Sequence, residues 1–171
     1  LILDVKDLHY SEHGVTKVDK VNFSIRGGEI LGVAGVQGNG QEQLIKAITG
    51  LIPFQDGTVK LAGTEIQGMN IAQKRDAGMA YIPEDRMIDG SAPAASIQDN
   101  LISTCYEQPK YSGKIFLKQS VIREESQELI DRFSIKTQSE KEKVSALSGG
   151  NIQKVVVARE WNNKPKLMIA E

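Results

Sequence analysis

The sequence predicts an α/β fold with a largely parallel sheet, a small antiparallel β lobe and an inserted helical lobe. Three observations carry that prediction. The stretch Gly28 to Gly50, GEILGVAGVQGNGQEQLIKAITG, reads as strand, glycine-rich turn and helix. Short apolar runs alternate along the chain with segments of helical period, the pattern of a parallel sheet with helical crossovers. Between Met87 and Ala95 the composition shifts to Gly, Ser, Pro and Ala, and a mostly helical stretch, 96–146, follows it. At 171 residues the chain is long enough to bury a substantial core as one domain, or as one domain with an inserted lobe.

Taken in order, residues 1–10 (LILDVKDLHY) alternate imperfectly and Val21, Phe23 and Ile25 alternate well, so two strands precede the glycine loop, with Tyr10 near the end of the first. Ile30 to Ala34 should be a short buried strand. The helix after the loop carries Leu44, Ile45, Ala47 and Ile48 and stops at Gly50. Asp56-Gly57 and Gly63 are turn signals around Thr58 to Leu61, which together suggest the antiparallel lobe. Asn70 should cap a short helix that Gly78 ends, and Met79 to Ile82 form a strand that stops at Pro83. Ser96-Ile97-Gln98-Asp99 has capping-box spacing. A longer helix runs from about Lys118 to Phe133, with Ile122, Leu129, Ile130 and Phe133 on one face.

The glycine loop is where chemistry enters. Glycines that open a helix let backbone N–H groups turn inward, and the helix N-terminus adds partial positive charge, so the arrangement suits a phosphate. Against the pattern G-x-x-x-x-G-K-[ST], Gly35 and Gly40 take the glycine positions, but Gln41 replaces the lysine and Glu42 the hydroxyl residue. The amide of Gln41 supplies no charge, and Glu42 brings a negative one towards an anion. Such a loop should hold nucleotide poorly, or hold it without cleaving it. By itself the loop equally admits a plain strand-to-helix turn. The order G-x-x-G-x-G disfavours a dinucleotide fingerprint.

The bulk numbers exclude several classes. A net charge of −1 gives no electrostatic footprint for nucleic acid. One cysteine, Cys105, rules out an intrachain disulfide framework and suits a reducing compartment. No apolar run approaches the roughly 18 residues of a membrane span. The start at Leu1 and the stop at Glu171, directly after an apolar run, read as the ends of a piece cut from a longer polypeptide.

A second motif changes the weight of the first. Residues 147–159, LSGGNIQKVVVAR, place Ser148 as a helix N-cap with Gly149 and Gly150 leaving backbone N–H groups uncovered, and Leu167 to Ala170 then lead to a terminal carboxylate, Glu171. The whole ordered set resembles the nucleotide-binding domain of ATP-binding cassette (ABC) transporters: glycine loop, YIPED at a strand end, helical lobe, LSGGN with its helix, apolar strand. The resemblance covers the entire chain. GVQGNGQEQL, YIPEDR and LSGGNIQK are most similar to the second cassette of importers for simple sugars or nucleosides, in which two cassettes share one polypeptide.

The resemblance implies a P-loop NTPase core of the ABC ATPase type, truncated at the Walker B strand. It divides the chain into a β lobe and P-loop core (1–86), a linker and helical lobe (87–146), and a signature helix with the Walker B strand (147–171). It implies ATP and Mg2+ as ligands. Gly35 to Gln43 would be the Walker A loop, with Gln37, Gly38, Asn39, Gly40, Gln41, Glu42 and Gln43 around the phosphates and Tyr10 stacked on adenine. Glu84 falls where the family has a glutamine that senses Mg2+ and the attacking water, and Glu171 falls on the Walker B aspartate. Ser148, Gly149 and Gly150, flanked by Leu147, Asn151 and Gln153, would act in trans on the γ-phosphate held by a partner cassette. Further partners would be membrane permease subunits and, indirectly, an extracytoplasmic solute-binding protein, with no nucleic acid. The implied place is the cytoplasm, peripheral on the inner face of the membrane through the permease. ATPase activity would belong to the full assembly, and the isolated fragment would be inactive. The alternative is an ABC-like interaction or regulatory module without ATPase activity.

Overall fold

The computed structural model describes residues 1–171. Two compact units divide the chain, Leu1–Ala80 with Lys166–Ile169, and Tyr81–Pro165 with Ala170–Glu171.

The first unit is built on a four-stranded antiparallel sheet, ordered β2-β1-β3-β4 from β1 (Leu3–Glu12), β2 (Val15–Ile25), β3 (Asp56–Leu61) and β4 (Thr64–Glu65). The imperfect alternation of β1 has a local cause. Leu3 and Val5 are buried at odd positions, Leu8 and Tyr10 at even ones, and the pairing to β2 shifts register between Val5 and Leu8. Such a bulge lets one strand keep its apolar residues on a single face although their parity changes. The backbone N–H of Asp7 donates to the Asn22 side chain, and the Asn22 amide donates back to Asp7, each at 3.0 Å, which pins the irregularity. Asp56-Gly57 proves to lie inside β3 and is not a turn: Gly57 has φ 105°, and a Cβ there would stand 2.6 Å from the carbonyl oxygen of Asp7. Only glycine fits so close an approach.

Helix α1 (Gln41–Thr49) buries Ala47 and Ile48 against this sheet, with Leu44 packed beside them, and ends at Gly50 in the left-handed conformation. The buried Lys74 lies in α2 (Ile71–Asp76), and its ammonium donates to the carbonyl of Ile48 at 3.0 Å. Burial pulls its pKa down. Asn70 caps α2 as expected, in a complete capping box with Gln73.

The strand expected over Ile30 to Ala34 does not form. Residues 29–36 carry no strand assignment, and Ile30 is 97 % and Val36 74 % exposed. A strand is made by ladder bonds to a neighbour, and no strand pairs with this segment. The parallel sheet is accordingly smaller than its sequence reading. It consists of β5 (Met79–Ile82) and β6 (Leu167–Ala170). The N–H of Leu167 reaches the carbonyl of Gly78 and that of Glu171 reaches Ile82, so the two strands run in the same direction.

The second unit packs α3 (Ile97–Ile102), α4 (Gln119–Arg132) and α5 (Gly149–Asn162) around Ile97, Leu101, Leu129, Val144, Ile152 and Val155. The capping box of α3 is present in half: Ser96 accepts from the Asp99 N–H at 3.2 Å. The buried Asn100 folds the preceding linker onto α3, accepting from Ala92 N–H at 2.8 Å while its amide donates to the carbonyls of Ala92 and Ser96. Tyr111, Glu125 and Asn162 form a polar cluster beside Cys105.

Candidate functional site

Two edges of the chain are expected to meet nucleotide, one in each compact unit. The first is the glycine loop, Gly35 to Gln43, expected to be the Walker A loop. Gln37, Gly38 and Asn39 are exposed, Gly40 is the buried residue that begins α1, and Gln43 is half-buried. Gly40 has φ 94° and passes so near β2 that a Cβ would stand 2.0 Å from the Lys17 carbonyl oxygen. The interior of the loop is taken by the protein itself. The Gln41 amide donates to the carbonyl of Val36 at 3.2 Å, and its Nε2 lies 1.9 Å from where a Cβ on Gly35 would be. Glu42 pairs with Lys46 one turn along α1 at 2.5 Å. As folded here the loop does not fit a triphosphate: a neutral amide fills the cradle, and the first helical turn presents a carboxylate.

Tyr10 does not offer a stacking face. It lies on the central strand β1 and is 8 % exposed, packed in the β-lobe core, because the bulge upstream turns it to the buried side of the sheet. Glu84 is exposed at the end of β5, and the Glu171 carboxylate accepts from the Tyr81 hydroxyl at 2.5 Å. No group of three or more His, Cys, Asp or Glu side chains is placed to hold a metal ion.

The second edge is open. Ser148 stands at the N-cap of α5 in extended conformation, but its hydroxyl makes no capping bond to the helix backbone. Instead Oγ meets the Asn151 amide, which donates to it at 3.0 Å, and Asn151 in turn accepts from the Lys136 N–H at 2.9 Å. A hydroxyl that accepts there keeps its own proton to give elsewhere. The first backbone bonds of the helix come from Asn151 and Ile152 to the Ser148 carbonyl. The N–H groups of Gly149 and Gly150 precede them, where helices leave donors unpaired, and nothing lies within 4 Å of a Cβ built on Gly150. This edge fits an anionic ligand: two backbone donors, a hydroxyl donor and the positive end of a 14-residue helix. Leu147 and Gln153 are half-buried beside it.

Sequence reasoning missed two features. That Gln41 would fold back into its own loop had no signal beyond its length and amide. The other is Arg86, whose guanidinium lies against Gly149: a Cβ there would be 2.7 Å from Nη2. Its presence in YIPEDR was visible, but its neighbour 63 residues further along was not.

The fold and these motifs define an α/β P-loop ATPase domain of the ABC type. The ABC transporter family matches residues 18–171, and the chain belongs to that family. It is 36% identical over 170 residues to the nucleoside import ATP-binding protein NupA of Lactococcus lactis subsp. cremoris (strain MG1363), covering 99% of this chain and 34% of that protein. It is also 36% identical over 157 residues to the guanosine import ATP-binding protein NupO of Bacillus subtilis (strain 168), covering 92% of this chain and 31% of that one. The chain thus spans about a third of the length of the curated relatives it matches. Among solved structures it superposes on a nucleotide-free ATP-binding cassette from an ABC transporter with a TM-score of 0.78 at 20% identity, covering 99% of this chain and 68% of that one. Family membership implies ATP binding. No helix is long and apolar enough to cross a membrane.

Proposed function

We propose that this chain is the ATP-binding part of an ABC importer for nucleosides or simple sugars, corresponding to the second of two cassettes in one polypeptide. Its signature edge serves ATP held by the other cassette, while its own Walker A loop is a weak, regulatory site. The observation that carries this is the contrast between the two edges. Gln41 fills the Walker A cradle with an uncharged amide, whereas Ser148, Gly149 and Gly150 keep their donors open. The nucleoside and guanosine import proteins among the relatives support the solute class.

In this reading residues 1–86 are the β lobe and P-loop core, 87–146 the linker and helical lobe, and 147–171 the signature helix and Walker B strand. Ser148, Gly149 and Gly150 stabilise the γ-phosphate electrostatically across the cassette interface, with donors already in place before the reaction. Their engagement closes the two cassettes, and permease subunits respond to that closure. Mg2+ arrives with the triphosphate on the partner's side. Solute reaches the permease through an extracytoplasmic binding protein, and the assembly sits on the cytoplasmic face of the membrane.

The test is turnover of the intact transporter. Ser148→Arg blocks the open edge and should lower ATPase turnover by about a hundredfold or more, the scale of losing a preorganised oxyanion donor. Gln41→Ala should leave turnover within about twofold, since that side chain contacts only its own loop; a twofold change is well under 1 kcal/mol of barrier. The reverse pattern would overturn the assignment. The self-filled Walker A loop also favours a second reading, a regulatory cassette without hydrolysis at either site. Wild-type turnover too low to measure, with solute-dependent assembly intact, would select it.

A further inference from the structure

We propose that Arg86 is a phosphate-contacting residue of the signature edge, adding a guanidinium to the backbone donors of Gly149 and Gly150 for the terminal phosphates of the nucleoside triphosphate held by the partner cassette. This rests on the reading of Ser148–Gly150 as the nucleotide-facing edge. The geometry that points to it is close and specific. A Cβ on Gly149 would stand 2.7 Å from Nη2, 3.3 Å from Cζ and 3.4 Å from Nε of Arg86, so the guanidinium lies against the bare α carbon of the first residue of α5. Any side chain at position 149 would displace it.

The loop that carries Arg86 is held in place by a bond from the same helix. Arg159 of α5 donates from Nη1 to the Gly90 carbonyl at 2.8 Å, and its Nε pairs with the fully buried Glu160 at 2.9 Å. Within the loop the Asp85 carboxylate accepts from the N–H groups of Met87 at 2.7 Å and Ile88 at 2.9 Å, and Ser91 donates to the Arg86 carbonyl at 2.7 Å. The two backbone bonds from Ile88 and Met87, and the charge of Arg86 beside it, hold the Asp85 carboxyl below its usual pKa. Arg86 is exposed and its guanidinium makes no ion pair.

Electrostatics then argue for a ligand. A cation at a helix N-terminus faces the positive end of the dipole, and although the neighbouring Asp85 carboxylate interacts with Arg86, a bound anion would relieve that repulsion further. The planar fork of arginine binds two phosphate oxygens at once, which the point charge of lysine does not. Arg86, the two glycine N–H groups and the Ser148 hydroxyl therefore supply charge and direction together.

The test uses the intact transporter, with ATPase rates measured against MgATP concentration for the wild type, Arg86→Gln, Arg86→Lys and Ser148→Arg, and thermal unfolding of each. The expected result is a fall in kcat/KM of about tenfold or more for Arg86→Gln, partial recovery in Arg86→Lys, a shallower dependence of rate on salt in Arg86→Gln, and unchanged unfolding midpoints. If Ser148→Arg is inactive while Arg86→Gln turns over like the wild type with the same salt dependence, the role of Arg86 is overturned and the signature edge stands. If both arginine variants lose activity only together with thermal stability, Arg86 merely holds its loop, and the proposal again falls. Should Ser148→Arg remain fully active, the reading of the edge itself fails, and this inference goes with it.

Discussion

At the scale of single residues, one amide fills the glycine loop from within. Gln41 reaches back to Val36, a bond between neutral groups that contributes about 0.5–1.5 kcal/mol. Gln41→Lys exchanges that bond for a charge that solvent and phosphate both attract. We expect Gln41→Lys to raise ATP affinity in a calorimetric titration by roughly tenfold, about 1.4 kcal/mol, and an unchanged affinity would mean that Glu42 dominates the loop. Tyr111 offers a second case. Its buried hydroxyl donates to Glu125 at 2.5 Å and accepts from Asn162 at 3.1 Å, and Lys110 pairs with the same carboxylate. Burial, then the bond to Glu125, pushes the Tyr111 pKa far above its usual value. A raised folded-state pKa gives stability that is complete below the unfolded value of about 10 and is lost as pH rises beyond it. Tyr111→Phe should therefore cost about 1–3 kcal/mol in urea unfolding near neutral pH, because Glu125 loses a donor. The variant should also lose less stability than the wild type between pH 9 and about 11. A wild type and variant with parallel alkaline profiles would refute the assigned cause.

At the scale of elements, what was legible in the sequence was local. The caps at Asn70 and Ser96, the stop at Gly50 and the apolar face of α4 depend on residues three or four apart, and the structure has each of them. What depended on distant chain was misread. Gly57 announced a turn, yet its purpose is to let β3 pass close to Asp7 in β1, and no local pattern encodes that neighbour. Ser148 announced a cap, and it occupies the position without making the bond, its oxygen accepting from the Asn151 side chain. The two N-caps therefore differ in a measurable way. Asn70→Ala should cost about 1 kcal/mol in thermal or chemical unfolding, since it removes the side-chain acceptor that caps the Gln73 N–H. Ser148→Ala should cost only a few tenths of that order, there being no backbone cap to lose. Equal costs would show that the Ser148 hydroxyl caps α5 in solution. At the candidate site, the sequence revealed which residues were glycine and serine, but the filling of one edge and the openness of the other became visible only in three dimensions.

At the scale of the whole molecule, the outstanding feature is an apolar run with nothing upon it. Ile30, Leu31, Val33 and Val36 are exposed, although their spacing and composition are those of a buried strand. Around them the backbone has few partners: Glu29 donates to Arg26, Asn39 donates to Val36, and no strand pairs with the segment between them. The β1–β2 ladder in the same unit is formed along its length apart from its bulges, so the contrast lies in neighbours and not in propensity. Amide hydrogen exchange of the 171-residue chain should separate the two. Amides of residues 30–35 should exchange at the rate of an unstructured peptide, while those of β1 should be protected up to the opening free energy of its unit. An exposed apolar stretch of this kind also favours association with any surface that supplies a ladder and a face. Sedimentation of the same chain should then show self-association that rises with concentration and weakens in a Ile30→Lys, Val33→Lys double variant. A monomer in which residues 30–35 are already protected would mean that the segment finds its strand neighbours within these 171 residues, and the smaller parallel sheet described above would have to be enlarged to include it.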